Sequence, residues 1–228
     1  VESVRGVADA CHAITLKDSP NDATPIIAGN VSFYNESKGG AIPPSPIVSC
    51  LGRLKDLNKT VPAHFQKTDS VLLMIGERKN ELGGSVYYSL YDELGANVPK
   101  PNLEEVKNQI FALTDCIDDE LILSCHDISD GGIASAIAEM AFGNSIGCNV
   151  KIDSDLSLDK ILFSETGGFL LVVAPDRVNA VTFVFSKYGV DVFQIGSTGG
   201  NSIQINGVVD LSVNEANEAW TNGLREKL

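Results

Sequence analysis

The amino-acid sequence predicts an α/β or α+β fold, on three observations. Short apolar runs of strand length recur along the chain, the clearest being Ser70-Val71-Leu72-Leu73-Met74-Ile75-Gly76. Stretches with apolar residues at helical spacing, of roughly 10–15 residues, alternate with these runs, the pattern of strands and helices sharing a domain. Helix starts carry capping chemistry, as at Asn102-Leu103-Glu104-Glu105. At 228 residues the chain is long enough for one large domain, or for one domain and part of another.

In chain order, Val1 to Ile14 reads as a helix, with Val4, Val7, Ala8, Cys11 and Ile14 on one face and no capping residue ahead of it. Lys17 to Asp22 is rich in turn formers and reads as a loop. Pro25 to Ala28 is a short apolar run expected to be a buried strand, and it leads into Gly29-Asn30-Val31-Ser32-Phe33-Tyr34-Asn35-Glu36-Ser37. Period two places Asn30, Ser32 and Tyr34 on one face. Gly29 lets a backbone or ligand come close, while Asn30 and Ser32 offer polar atoms side by side; a strand with an ordinary polar rim would look the same. Lys38-Gly39-Gly40 reads as a turn. Pro46 to Gly52 is a second strand candidate, expected to pair with the first.

Charge rises and the apolar pattern weakens between Gly52 and Phe65, which suggests a boundary. Beyond it come the strand at 70–76, a Gly83-Gly84-Ser85 turn, and a helix expected over Val86 to Leu94. Glycines ahead of a helix let a backbone approach an anion, and they are equally common in plain loops. Asn102 as N-cap and Glu105 at the third helical position approximate a capping box for a helix to about Thr114. Leu121 to Asp127 reads as a strand ending in Ile128-Ser129-Asp130-Gly131-Gly132, followed by a helix from Ile133 to Phe142. Asp127 and Asp130 can cap that helix, the default, or hold Mg²⁺. His126 is a candidate general base, without an identifiable nucleophile. Val150 to Asp153, Leu170 to Ala174, Val192 to Gly196 and Ser202 to Ile205 follow as strands, the last two as a hairpin around Gly199-Gly200. A helix is expected from Pro175 to about Tyr188, and a final one from Asn214 with Trp220 on its apolar side.

The formal charge of −13 opposes nucleic-acid or anionic-membrane binding, which needs clustered cations. No apolar run approaches the roughly 20 residues of a membrane span, and Glu2, Arg5 and Asp9 interrupt any signal-peptide core. Five scattered cysteines, Cys11, Cys50, Cys116, Cys125 and Cys148, suit free thiols in a cytoplasmic protein better than disulfides or zinc.

Gly-Asn-Val-Ser-Phe-Tyr-Asn-Glu-Ser at 29–37 resembles a signature of small-type phosphoribosylformylglycinamidine synthases (PurL, in the PurM/PurL superfamily). IPPSPIVSCLG at 42–52, ELGGS at 81–85, HDISDGGIASAIAEMA at 126–141 and FSETGGFLLVV at 163–173 extend the resemblance along the chain. Ser49-Cys50 and Thr166-Gly167-Gly168 depart from the family pattern, the latter weakening an anion-binding role for its loop. The resemblance implies a PurM/PurL-like C-type domain over 53–228, a mixed sheet flanked by helices, preceded at 1–52 by the last part of an N-type domain. It implies ATP-dependent conversion of formylglycinamide ribonucleotide (FGAR) to the amidine with glutamine-derived ammonia; the alternatives are a non-catalytic module that binds nucleotide or a partner, and another ATP-using enzyme of the superfamily. Gly29 is then an ATP contact, Asn30 a Mg²⁺ ligand and Ser32 a substrate contact. The expected partners are a glutaminase subunit (PurQ), a small subunit (PurS) and the N-terminal half of the same polypeptide, where the family's catalytic histidine lies. His126 to Gly131 would belong to a pseudo-symmetric, auxiliary copy of the site.

Overall fold

The computed structural model describes residues 2–30, 36–42 and 45–223. It opens with α1 (Glu2–Ala13), whose C-terminal half is partly covered while Val4 stays 74% exposed. The expected loop at Lys17–Asp22 is instead a small hairpin, β1 (Thr15–Leu16) with β2 (Ser19–Ala23) around a Lys17-Asp18 turn. The Lys38-Gly39 turn appears where expected, joining β3 (Glu36–Ser37) to β4 (Gly40–Ala41), with Gly40 at φ +115°.

Two sequence expectations fail in this region. Pro25 to Ala28 and Pro46 to Gly52 form no strand and do not pair. Ile26, Ile27, Ile47 and Leu51 are 66%, 77%, 95% and 88% exposed. An apolar run signals a need for burial, but a strand exists only where a second strand accepts its ladder, and none of the described residues supplies one here.

From Phe65 onward the chain builds a large core. The elements are β5 (Val71–Ile75), α2 (Val86–Ser89), α3 (Leu103–Asp118), β6 (Ser124–Asp127), α4 (Gly132–Phe142), β7 (Cys148–Val150), α5 (Leu158–Phe163), β8 (Phe169–Val173), α6 (Val178–Ser186), β9 (Val192–Thr198), β10 (Ser202–Ile205), β11 (Val209–Ser212) and α7 (Val213–Asn222). Seven strands form one mixed sheet in the order β11-β10-β7-β9-β5-β8-β6, antiparallel except for the parallel pair of β10 with β7.

The expected apolar run is the central strand β5, and its two faces define two cores. Leu72 and Met74 pack on one side with Ile133, Ile137, Met140 and Leu162, under α4 and α5. Leu73 and Ile75 pack on the other with Ala112, Cys116, Val181 and Phe185, under α3 and α6. Strand β8 divides the same way, Leu170 and Val172 against Leu171 and Val173, all 0% exposed. Each such side chain contributes about 1.5–3 kcal/mol by leaving water, so these two strands and four helices dominate stability.

Helix α3 begins as its sequence predicts, with the Asn102 side chain accepting from the Glu105 N–H at 3.4 Å, and it runs four residues past Thr114 to Asp118. Helix α2 stops at Ser89 instead of Leu94, because Asp92 and Gly95 take positive φ and the chain turns back over Tyr88. Strands β9 and β10 are not a hairpin, because β7 lies between them. Gly199 and Gly200 instead wrap the turn around the start of β7, exchanging backbone hydrogen bonds with Gly147 at 2.8 and 2.9 Å. A Cβ at Gly147 would lie 2.2 Å from the Ser202 carbonyl oxygen, so only glycine lets the turn pass so closely. The hairpin in this region is β10–β11, closed by the three residues Asn206, Gly207 and Val208, with Asn206 and Gly207 at φ +51° and +67°. Trp220 of α7 is 65% exposed, with its ring 5.8 Å from that of Phe142.

Candidate functional site

The segment expected to face a ligand is open. Residues 24–30 have no regular secondary structure and belong to no ladder. Gly29 is exposed, and a Cβ built on it would meet nothing within 4 Å. Asn30 is exposed, and its side chain makes no hydrogen bond with any other described residue. An amide carbonyl oxygen is the kind of donor that a hard cation such as Mg²⁺ prefers. Ser32 lies outside the described residues.

The segment starts from a defined anchor. The Thr24 N–H donates to the Cys11 carbonyl at 2.8 Å and its hydroxyl to the Ile14 carbonyl at 2.6 Å, fixing this point to the end of α1.

A second cluster forms where three glycine-bearing loops meet, at 83–86, 128–132 and 164–168. One oxygen of Glu165 accepts from the Val86 N–H at 2.8 Å and from the Gly131 N–H at 2.9 Å. Gly131, in the left-handed region, is the N-cap of α4, and no side chain caps that helix. The expectation that Asp127 or Asp130 caps α4 is thus corrected. Consecutive positive φ values at Gly131 and Gly132 turn the chain so that a carboxylate from a distant loop reaches the helix start.

The Gly83-Gly84-Ser85 turn has no donor left for an anion. Gly83 N–H donates to Asn97, Gly84 N–H to Leu94 and Ser85 N–H to Leu82, while Glu165 takes Val86 N–H. The loop at 164–168 is tied down from beneath. Arg78, 6% exposed, donates to the carbonyls of Ser164 and Gly167 at 3.4 and 3.0 Å, and its Nε has no partner. Burial draws the Arg78 guanidinium down to about 10, against the opposing pull of Glu81, which leaves it charged at neutral pH. Thr166 donates to Glu81 at 2.8 Å and shares a 2.7 Å hydrogen bond with Ser164. The nearby cleft between Gly76, Lys79, Lys100, Glu105 and Thr166 has about 50 Å³ of open space, too little for a nucleotide.

His126 is held from both sides. Its Nδ1 lies 2.6 Å from the Asp127 carbonyl oxygen and its Nε2 lies 3.1 Å from Glu139. Both ring nitrogens are thus engaged by groups of the chain itself, and the general-base reading finds no support in the geometry. Among the described residues no group of three or more His, Cys, Asp or Glu side chains is placed to hold a metal. Burial pushes the thiols of Cys116, Cys125 and Cys148 up to about 12, so they stay protonated at neutral pH. Protonated thiols are poor ligands and poor nucleophiles. No helix among the described residues is long and apolar enough to cross a membrane.

Sequence reasoning did not find Glu165 as an organising residue, because its partners are 79 and 34 positions away. It also did not single out Lys17 or Asp115, which form an ion pair between the β1–β2 turn and α3.

Comparisons with known proteins place this architecture. Residues 67–205 match the family of the AIR synthase related protein, C-terminal domain. The chain is 38% identical to the phosphoribosylformylglycinamidine synthase subunit PurL of Methanothrix thermoacetophila, over 100% of this chain and 30% of that protein. It is 34% identical to PurL of Alkaliphilus metalliredigens, over 98% of this chain and again 30% of that protein. The chain thus spans about 30% of the length of these relatives. Among solved structures, Thermotoga maritima PurL complexed with FGAR has a TM-score of 0.59 at 16% identity, over 70% of this chain and 30% of that one. PurL of the same organism complexed with ATP gives 0.55 at 16%, over 70% and 27%. The PurLQS structure from that organism gives 0.57 at 17%, over 69% and 27%. At such identities these likenesses speak for the fold. The chain belongs to the family of AIR synthase related proteins, whose C-terminal domain it carries and whose PurL members it resembles along its whole length.

Proposed function

We propose that this chain is the C-terminal part of a phosphoribosylformylglycinamidine synthase, which converts FGAR to its amidine with ATP and glutamine-derived ammonia in purine biosynthesis. The observation that carries this reading is the 38% identity to a PurL subunit along the entire chain, residues 1–52 included. The relatives' ATP and FGAR complexes support the same substrates. In this reading residues 1–52 are the last part of an N-type domain and 53–228 form the C-type domain. Gly29 lies against ATP, Asn30 offers its side-chain oxygen to Mg²⁺, and Ser32 contacts FGAR. When bound, Mg²⁺ neutralises charge on the ATP phosphates. This chain's contribution is to bind and orient: an exposed amide oxygen, and a glycine that leaves room for a ligand to approach. The loop cluster at Glu165, with its donors internally occupied, serves as structural support.

The partners in this reading are the remaining N-terminal part of the polypeptide, a PurQ glutaminase and a PurS subunit, as the PurLQS assembly of a relative supports. The setting is cytoplasmic. The test is amidine formation by the longer polypeptide containing this chain, assayed with FGAR, ATP, Mg²⁺ and ammonium. ATP-dependent product is expected from the longer protein and none from the 228-residue chain alone. A longer protein that binds nucleotide but never consumes FGAR would overturn the reading.

A further inference from the structure

We propose that the C-terminal half of α3 is a two-point clamp that holds the described segments 25–30 and 45–56 at their outer ends, with Asp115 and Lys17 as positioning residues. The ammonium of Lys17, at the β1–β2 turn, has three donors and meets three acceptors on one face of α3. These are the Phe111 carbonyl at 3.3 Å, the Thr114 hydroxyl at 2.8 Å and the Asp115 carboxylate. The second oxygen of Asp115 accepts from the Tyr188 hydroxyl just beyond α6, so α3, α6 and the hairpin meet at one carboxylate. Lys17 and Asp115 side chains are 34% and 35% exposed, against 74% and 82% for the pair of Lys55 with Asp18. The second point lies past residue 56. Lys59 donates to the Asp118 carbonyl at 2.5 Å, at the end of the same helix, with Glu120 at 3.7 Å.

Between these points, residues 25–30 and 45–56 lie in no sheet and expose their apolar side chains. Neither core cluster includes them, so within the described residues of this chain the anchors at either end are what hold them. The hairpin passes its position on through Thr24, which is bonded to the end of α1 directly ahead of Pro25. The clamp bears on function only if Gly29 and Asn30 face the nucleotide, as proposed above, but its test reads the tether alone.

The experiment is amide hydrogen exchange on the 228-residue chain and on its Asp115→Asn and Lys17→Met variants. Exchange at Thr24 and neighbouring amides of 2–24 is expected to quicken at least tenfold, while Leu72 and Leu171 in the central strands keep their rates. The charge swap Lys17→Asp with Asp115→Lys should restore slow exchange at Thr24. Unchanged exchange at Thr24 in both single variants would overturn the proposal. Equal acceleration in the central strands would also overturn it, by showing a general loss of stability in place of a local release. If Asp115→Asn does not fold, Lys17→Met, which leaves Asp115 its tyrosine partner, carries the same reading. Failure of the functional assignment shows separately, as unaltered turnover on substitution of Asn30.

Discussion

Replacing Glu165 by alanine removes one oxygen that serves two backbone donors in two other loops. The Gly131 N–H is partly buried and loses its acceptor, while the exposed Val86 N–H can turn to water. A hydrogen bond to a charged acceptor is worth about 1.5–3 kcal/mol net, and the exposed one counts for a fraction of that. The expected loss is therefore about 2–4 kcal/mol. For a domain of this size about 2–4 °C follows each kcal/mol, so thermal unfolding should drop by roughly 4–16 °C. Glu165→Gln keeps an acceptor in place and should recover about half of the loss. Differential scanning calorimetry of the three proteins measures this directly. Local exchange should quicken most at Gly131 and Val86. A melting temperature for Glu165→Ala within about 1 °C of the parent would refute the argument that this carboxylate joins the three loops.

Thiol reactivity should follow burial. With a disulfide reagent at neutral pH, exposed Cys50 should react first and Cys116 and Cys148 only on denaturation, since burial keeps them protonated; rapid reaction of all five thiols in the native state would contradict the packing. The Asp115–Tyr188 pair should shape stability at both extremes of pH. Burial alone would raise Asp115, but hydrogen bonds from Lys17 and Tyr188 and the charges of Lys17 and Lys187 outweigh it and hold the carboxyl below its ordinary 3.8. That contribution is present above the unfolded value and is lost as pH falls through the native one. Tyr188 is pushed up to about 12, first by its hydrogen bond to Asp115 and then by burial, so its contribution is full below pH 10 and fades toward 12. The difference in melting temperature between parent and Tyr188→Phe should shrink over that alkaline window, and a constant difference would contradict the assignment.

What the sequence revealed depended on how local the determining forces were. The central strand was legible because Val71 to Ile75 is buried on both faces, which demands an unbroken apolar run. The start of α3 was legible because Asn102 and Glu105 settle their own hydrogen bond three residues apart. The hairpin around Gly199-Gly200 was misread because β7, fifty residues upstream, inserts between the two strands, and no turn residue announces a non-local strand. Asn206-Gly207 did carry a local signal for the true hairpin. Glu165 was invisible for the same reason as β7: its partners are brought near only by the finished sheet. For the candidate site, the sequence offered Gly29, Asn30 and Ser32 through a motif. The structure then shows the first two exposed and without partners in the described chain.

The central claim is that Asn30 serves a ligand and not the fold. The most direct measurement takes Asn30→Ala in the longer polypeptide and records both turnover and melting temperature. Its side chain is exposed and bonds to no other described residue, so stability should change by no more than about 0.5 kcal/mol. Loss of one well-placed electrostatic group at a phosphoryl-transfer site should lower kcat by roughly 10²–10³-fold. An intact melting temperature with that fall in turnover is the predicted result, whereas full turnover by the folded variant would contradict the account.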